Sequence, residues 1–308
     1  MKRRSVSWPI LFTFIVSTGI HAQVPPVMTK RAIAPSTNET RGTQLTLNDR
    51  GTNFTLFLPA GWTNTVSSNA VLYVHFHTAP WFPIQEHVRR GATEPLAVFA
   101  LGEGSSTYRA AFEDTNRLAR VLALVESELQ KRSGLSARIS VVDVSSFSAG
   151  YGAVRELIKS PAYFKIVRRI VLLDSMYAGL EPEQNGSTNR RPLAAQIDVW
   201  LPFAKAAMRG EKTFAITHSQ VPTSGYASSA ECALALLANL GVNADAVATN
   251  SIPAANDPNF PLLKRADAGG LHIWSYGGTE AQAHMTHARH MADVWRALDT
   301  AGDTPPRH

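Results

Sequence analysis

Cys232 is the only cysteine in 308 residues, so no intramolecular disulfide can form. It falls in an Ala/Leu-rich helical stretch and reads as a core thiol. With no cysteine near Ala22, lipoprotein attachment is excluded as well. No Lys/Arg cluster is interleaved with aromatics, so nothing marks a nucleic-acid surface. The apolar run from Trp8 to Ile20 falls short of the roughly 20 residues that span a bilayer. There is no internal repeat, and no linker that would separate one domain from another. What remains is a globular composition, 18% charged and 44% hydrophobic, in a chain long enough to bury a substantial core.

The first residues have the plan of a secretory signal: Lys2-Arg3-Arg4, the apolar run, then the small residue Ala22. Residues 1–22 are therefore expected to be a signal peptide and the protein to be secreted or periplasmic, with no stable membrane anchor after cleavage. Losing those three basic residues lowers the formal charge from +6 to +3. Residues 23–40, rich in Pro, Ser and Thr, read as a flexible leader. A single domain is expected over 41–302, followed by a disordered tail over 303–308.

The pattern predicts two short strands, Gln44–Leu47 and Asn53–Leu58, joined by the turn-forming Asn48-Asp49-Arg50-Gly51. Val71–Phe76 is a near-continuous apolar run, as expected of a strand buried on both faces. Leu96–Leu101 is the next strand. A long amphipathic helix is predicted from about Phe112 to Lys131. Further strands are predicted at Ile139–Val144, Arg169–Asp174, Phe214–Thr217 and Leu271–Tyr276. Helices are expected around Val199–Met208, Ser228–Leu240 and His284–Leu298, and Val242–Gly270 reads as a loop-rich excursion. Strands alternating with helices argue for a mainly parallel sheet covered on both faces, begun by an antiparallel hairpin.

One stretch carries chemistry. The β-branched run Ile139–Val144 stops at Ser146-Phe-Ser-Ala-Gly150, and a helical pattern with Val154, Leu157 and Ile158 follows. Strand, sharp turn through small residues, helix is the setting in which Ser-x-Ser-x-Gly marks Ser148 as a nucleophile. The usual pattern has glycine where this chain has Ser146.

The order of strands, the Ser148 elbow, the loop opening His75-Phe-His-Thr78 and a histidine before the last helix resemble the α/β-hydrolase superfamily, and its secreted esterase-like members in particular. The resemblance covers roughly Gln44 to Leu298. It implies an α/β-hydrolase-like fold, a serine nucleophile, a histidine base, an acid and two backbone N–H groups forming an oxyanion hole, with no metal or organic cofactor. For the base, the region between last strand and last helix offers His284, His287 and His290. His284 heads the stripe Ala288, Met291, Trp295 and Leu298 and is preferred; His287 is the alternative. His-x-x-His-x-x-His could suggest a metal, but no carboxylate accompanies it. The usual place for the acid is the loop after Thr217, which has no carboxylate before Glu231. Asp174, at the end of the preceding strand, is the substitute, with Asp267 and Asp198 more remote. Ala149 and Thr78 (or Ala79) are the oxyanion donors implied, although Thr78 stands where the family has glycine.

Trp81, Tyr108, Tyr177 and His218 are candidate substrate-binding residues at the same sheet edge, since ligands of open α/β sheets bind beyond the carboxyl ends of the strands. The expected function is a secreted serine hydrolase acting on a small-molecule ester or amide. A peptidase of the same fold shares these residues. A non-catalytic binding protein on that fold is the alternative from another class.

Overall fold

The computed structural model describes residues 42–60, 62, 70–182, 190–247 and 257–300. The expected signal peptide, leader and tail lie outside them. Among the described residues no helix is long and apolar enough to cross a membrane.

Strands β1 (Gly42–Asp49) and β2 (Thr52–Pro59) form the expected hairpin, paired in register across Arg50-Gly51. They are followed by β3 (Ala70–Phe76), β4 (Leu96–Phe99), β5 (Ile139–Phe147), β6 (Val167–Leu173), β7 (Thr213–His218), β8 (Asp245–Ala246), β9 (Leu262–Ala268) and β10 (Leu271–Tyr276). The ten strands form one sheet in the order β1-β2-β4-β3-β5-β6-β7-β10-β9-β8. From β4 to β10 the neighbours run parallel, while both edges are antiparallel. This is the α/β-hydrolase-like architecture expected: a mainly parallel sheet, helices on both faces and an antiparallel hairpin at its start.

A parallel strand must bury both faces, and β3 shows how this chain does so. Leu72, Val74 and Phe76 join one apolar cluster, while Val71 and Tyr73, alternating with them, join the other. The first cluster is covered by α2 (Ser105–Phe112), α3 (Arg117–Ser133), α4 (Tyr151–Leu157), α5 (Pro161–Ile166), α6 (Ala194–Asp198), α7 (Leu201–Met208) and α8 (Ser229–Leu240). The second is covered by α1 (Trp81–Arg90), α9 (Ala281–Arg289) and α10 (Met291–Thr300). Cys232 is fully buried in the first cluster, where desolvation pushes its thiol up to about 12.

Several boundaries differ from the sequence pattern. The helix expected from Phe112 begins instead at Arg117, because Asp114 turns the chain: its carboxylate accepts from Asn116 N at 3.0 Å and its carbonyl from Arg117 N at 2.9 Å. The expected last helix is two helices that break at His290, whose ring is held between Asp257 and Asp293. Helix α1 lies where the pattern marks no element; its Pro83 sits in the first turn, where the missing N–H costs nothing. The excursion 242–270 contains β8 and β9, whose Leu-Leu-Lys-Arg-Ala-Asp-Ala lacks a clean alternation because, near the sheet edge, Ala266 alone is buried.

Candidate active site

The turn after β5 is as tight as the small residues imply. Ser148 has φ 49°, in the left-handed region that costs an L-residue about 1–3 kcal/mol. A single 3₁₀ turn, Ser148–Gly150, leads into α4. Gly150 is required there: a Cβ on it would lie 2.3 Å from the Phe76 carbonyl oxygen at the end of β3. Ser146, which replaces the expected glycine, is fully buried, and its hydroxyl is 2.8 Å from that of Ser175. Ser175 Oγ donates its one proton to the Ser148 carbonyl at 2.8 Å, so Ser146 is the donor to Ser175. The departure from glycine thus adds a hydroxyl chain that clasps the elbow.

Asp174 follows the last residue of β6, also at positive φ (42°), and is buried. Its Oδ2 lies 2.8 Å from Nδ1 of His284, near the start of α9. Burial by itself would raise the Asp174 carboxyl. The hydrogen bonds from His284 and from Ser219, with the nearby imidazoles, outweigh it and hold the group well below the usual carboxylate range. Asp174 is therefore an ionised acceptor, and Nδ1 of His284 is the donor to it, which leaves Nε2 unprotonated in the neutral ring. The His284 ring stacks on Phe147, the residue before Ser148, with centroids 4.5 Å apart. Among the described residues no hydrogen bond joins Ser148 to His284. In free enzymes such contacts are often long and tighten on binding substrate.

The alternative histidine and the more remote carboxylates are engaged elsewhere. His287 is fully buried, its Nδ1 2.8 Å from Thr217 Oγ1, against Phe260 and Tyr276. Asp267 is bound by His272, Trp274 and Arg265. Asp198 lies 3.4 Å from Asn239 Nδ2. Glu231 closes a capping box on Ser228 at the start of α8 and pairs with Arg190. Among the described residues no cluster of three His, Cys, Asp or Glu side chains could hold a metal ion.

The end of β3 packs on the elbow through the close approach of Phe76 to Gly150. His77 and Thr78 are consecutive residues at positive φ, 76° and 78°. His77 N donates to Phe99 O at 3.0 Å, and its Nδ1 lies 3.2 Å from Gly102 O and 3.1 Å from the Tyr108 hydroxyl. The Thr78 hydroxyl is buried and has no partner among the described residues. Ala149, second in the 3₁₀ turn, has an N–H of the kind helical bonding leaves unpaired.

Of the four candidate substrate contacts, Tyr177 reaches His284, its hydroxyl 3.5 Å from Nδ1, and packs edge-on against Tyr226. Trp81 is half-buried at the start of α1. Tyr108 and His218 fit the role poorly. Tyr108 is fully buried and its hydroxyl accepts from Leu101 N, so it braces the His77 loop from behind. His218 is buried with Nδ1 3.1 Å from Ser219 O. A loop aromatic or histidine looks the same in sequence whether it faces in or out.

His75, His87 and His287 are neutral at pH 7, because burial lowers them to about 3, 4 and 3. Their folded values lie below the unfolded 6.5, so the unfolded chain takes up protons first as the pH drops. Stability is expected to fall from about pH 6.5 towards pH 4, by on the order of 1 kcal/mol per histidine per pH unit. The depressed Asp174 carboxyl acts with the same sign, more acidic still. Urea midpoints at about pH 7.5 and pH 5 check this; equal midpoints would contradict it.

No family model and no curated protein sequence matches this chain. Among solved structures it is similar to a ferulic acid esterase, over 84% of this chain and 98% of that one, with a TM-score of 0.47 and 11% identity. An S-formylglutathione hydrolase from Agrobacterium tumefaciens aligns over 87% and 97%, with a TM-score of 0.45 and 11% identity. A siderophore hydrolase from Aspergillus nidulans aligns over 82% and 95%, with a TM-score of 0.44 and 13% identity. Likenesses this remote say nothing about the site, which is read from its own geometry.

Proposed function

We propose that this chain is a secreted serine hydrolase that cleaves carboxylic esters through an acyl-enzyme. The observation that carries the reading is the His284–Asp174 pair, 2.8 Å apart and stacked on the residue preceding a serine held at φ 49°. His284 Nε2 takes the Ser148 proton as Oγ attacks the ester carbonyl, and Asp174 stabilises the imidazolium that forms. The N–H groups of Ala149 and Thr78 receive the negative charge of the tetrahedral intermediate. His284 returns its proton to the departing alcohol, and water then releases the acid from Ser148 by the same steps in reverse. Export by the segment 1–22 belongs to the same reading.

Fluorophosphonates form a covalent bond with an activated serine and test this directly. The purified protein is expected to be labelled on Ser148, with no label on Ser148→Ala and slower labelling of Ser146→Ala. Label that persists on Ser148→Ala ends the reading. A folded wild type that takes no label leaves the binding-protein alternative.

A further inference from the structure

We propose that Ser219 is a positioning residue for the acid of this site, an inference that rests on the hydrolase reading above. The loop after β7 carries no carboxylate, yet it reaches the acid. Asp174 N donates to Thr217 O at 2.8 Å, which extends the β6–β7 pairing past Leu173 and lays the next residues beside the Asp174 side chain. There the buried Ser219 supplies two donors: Oγ to Asp174 Oδ2 at 2.6 Å, and its backbone N–H to Oδ1 at 3.3 Å. Oδ2 is the same oxygen that His284 Nδ1 meets.

The direction of the Ser219 proton is fixed. Val221 N donates to Ser219 Oγ at 3.3 Å, occupying a lone pair and setting the side chain, while the ionised carboxylate can only accept. The next residue, Gln220, holds the other side of the site. Its N–H donates to Gly278 O at 3.0 Å, and its side-chain amide donates to Ser275 Oγ at 2.9 Å and Tyr276 O at 3.2 Å, on the end of β10 and the loop that leads to His284. Two consecutive residues thus tie the carboxylate to the segment that carries the base. The titratable groups around Asp174 are His284 and His287 from α9, His218 from β7, and Tyr177 and Tyr226. Among the described residues the hydroxyl donating to the carboxylate is that of Ser219. Without it, Oδ2 keeps the imidazole alone and Oδ1 the long bond from Ser219 N, so the carboxylate is held less firmly in the orientation in which Nδ1–H points at it.

The test is steady-state hydrolysis of a p-nitrophenyl ester by wild type, Ser219→Ala and Ser219→Thr, each checked for folding by circular dichroism, between about pH 5 and 9. Ser219→Ala is expected to lower kcat about ten- to a hundredfold, as loss of a hydrogen bond to a charged group implies, with KM within about twofold. The acid limb of kcat/KM should move to lower pH, because a carboxylate turned from Nδ1–H stabilises the imidazolium less. Ser219→Thr, which keeps the hydroxyl, should stay within about threefold of wild type. Wild-type kcat with an unmoved limb in Ser219→Ala overturns the role, as does equal loss in both variants. A wild type that neither hydrolyses esters nor takes the fluorophosphonate label refutes the hydrolase reading instead.

Discussion

Replacing His284 by Ala is expected to lower kcat for a p-nitrophenyl ester by about a millionfold, the loss seen when the base of a serine hydrolase is removed. The serine hydroxyl is scarcely nucleophilic without a partner to take its proton, so little of the acyl transfer should survive. The assignment is sharp because the neighbouring histidines are spoken for. His287 is sealed under Phe260 and Tyr276 with Nδ1 on Thr217, and His290 sits between Asp257 and Asp293. His290→Ala should therefore retain wild-type kcat within a fewfold, and a His284→Ala variant with more than about a hundredth of wild-type activity would remove His284 from the reaction.

The second large effect concerns the acid. Asp174→Asn keeps the shape of the side chain but presents an amide that can donate to Nδ1, which favours the imidazole tautomer with its proton on Nε2. That nitrogen then cannot accept from Ser148, and kcat is expected to fall by about ten-thousandfold at neutral pH. KM should change little, since Asp174 is buried behind the imidazole and does not touch substrate. Asp267→Asn is the control: its partners are His272, Trp274 and Arg265, and activity should persist. An Asp174→Asn enzyme with near-normal kcat would show that the imidazole is oriented by something else.

Ser148 stood out in the sequence because it sits in a local signature, a strand turning into a helix through small residues, and the structure has that turn. His284 was legible from its place at the head of the stripe Ala288, Met291, Trp295 and Leu298, all of which are buried. Asp174 came by elimination, from a loop after Thr217 without carboxylates. The hydroxyl braces were beyond reach. Ser146, Ser175 and Ser219 are ordinary polar residues in sequence, and their roles exist only because β5, β6 and β7 lie side by side. The same holds for Tyr108, which occupies the interior behind the His77 loop rather than a substrate surface. β9 escaped notice for a related reason: a strand near an edge, with little to bury, has no pattern to read.

The end of β6 works as a two-pronged fork. Asp174 reaches the imidazole and Ser175, the next residue, reaches the carbonyl of Ser148, so one strand sets the height of His284 and the shape of the Ser148 turn. Both residues directly follow Leu173, so a slip of β6 by one position along β5 would carry the carboxylate and the hydroxyl off His284 and the Ser148 carbonyl together. The pairing of Val144 with Ile170 and of Phe147 with Leu173 is then a ruler as much as a scaffold. Wherever variation enters this fold, the strand end it can least tolerate moving is one that carries neither Ser148 nor His284.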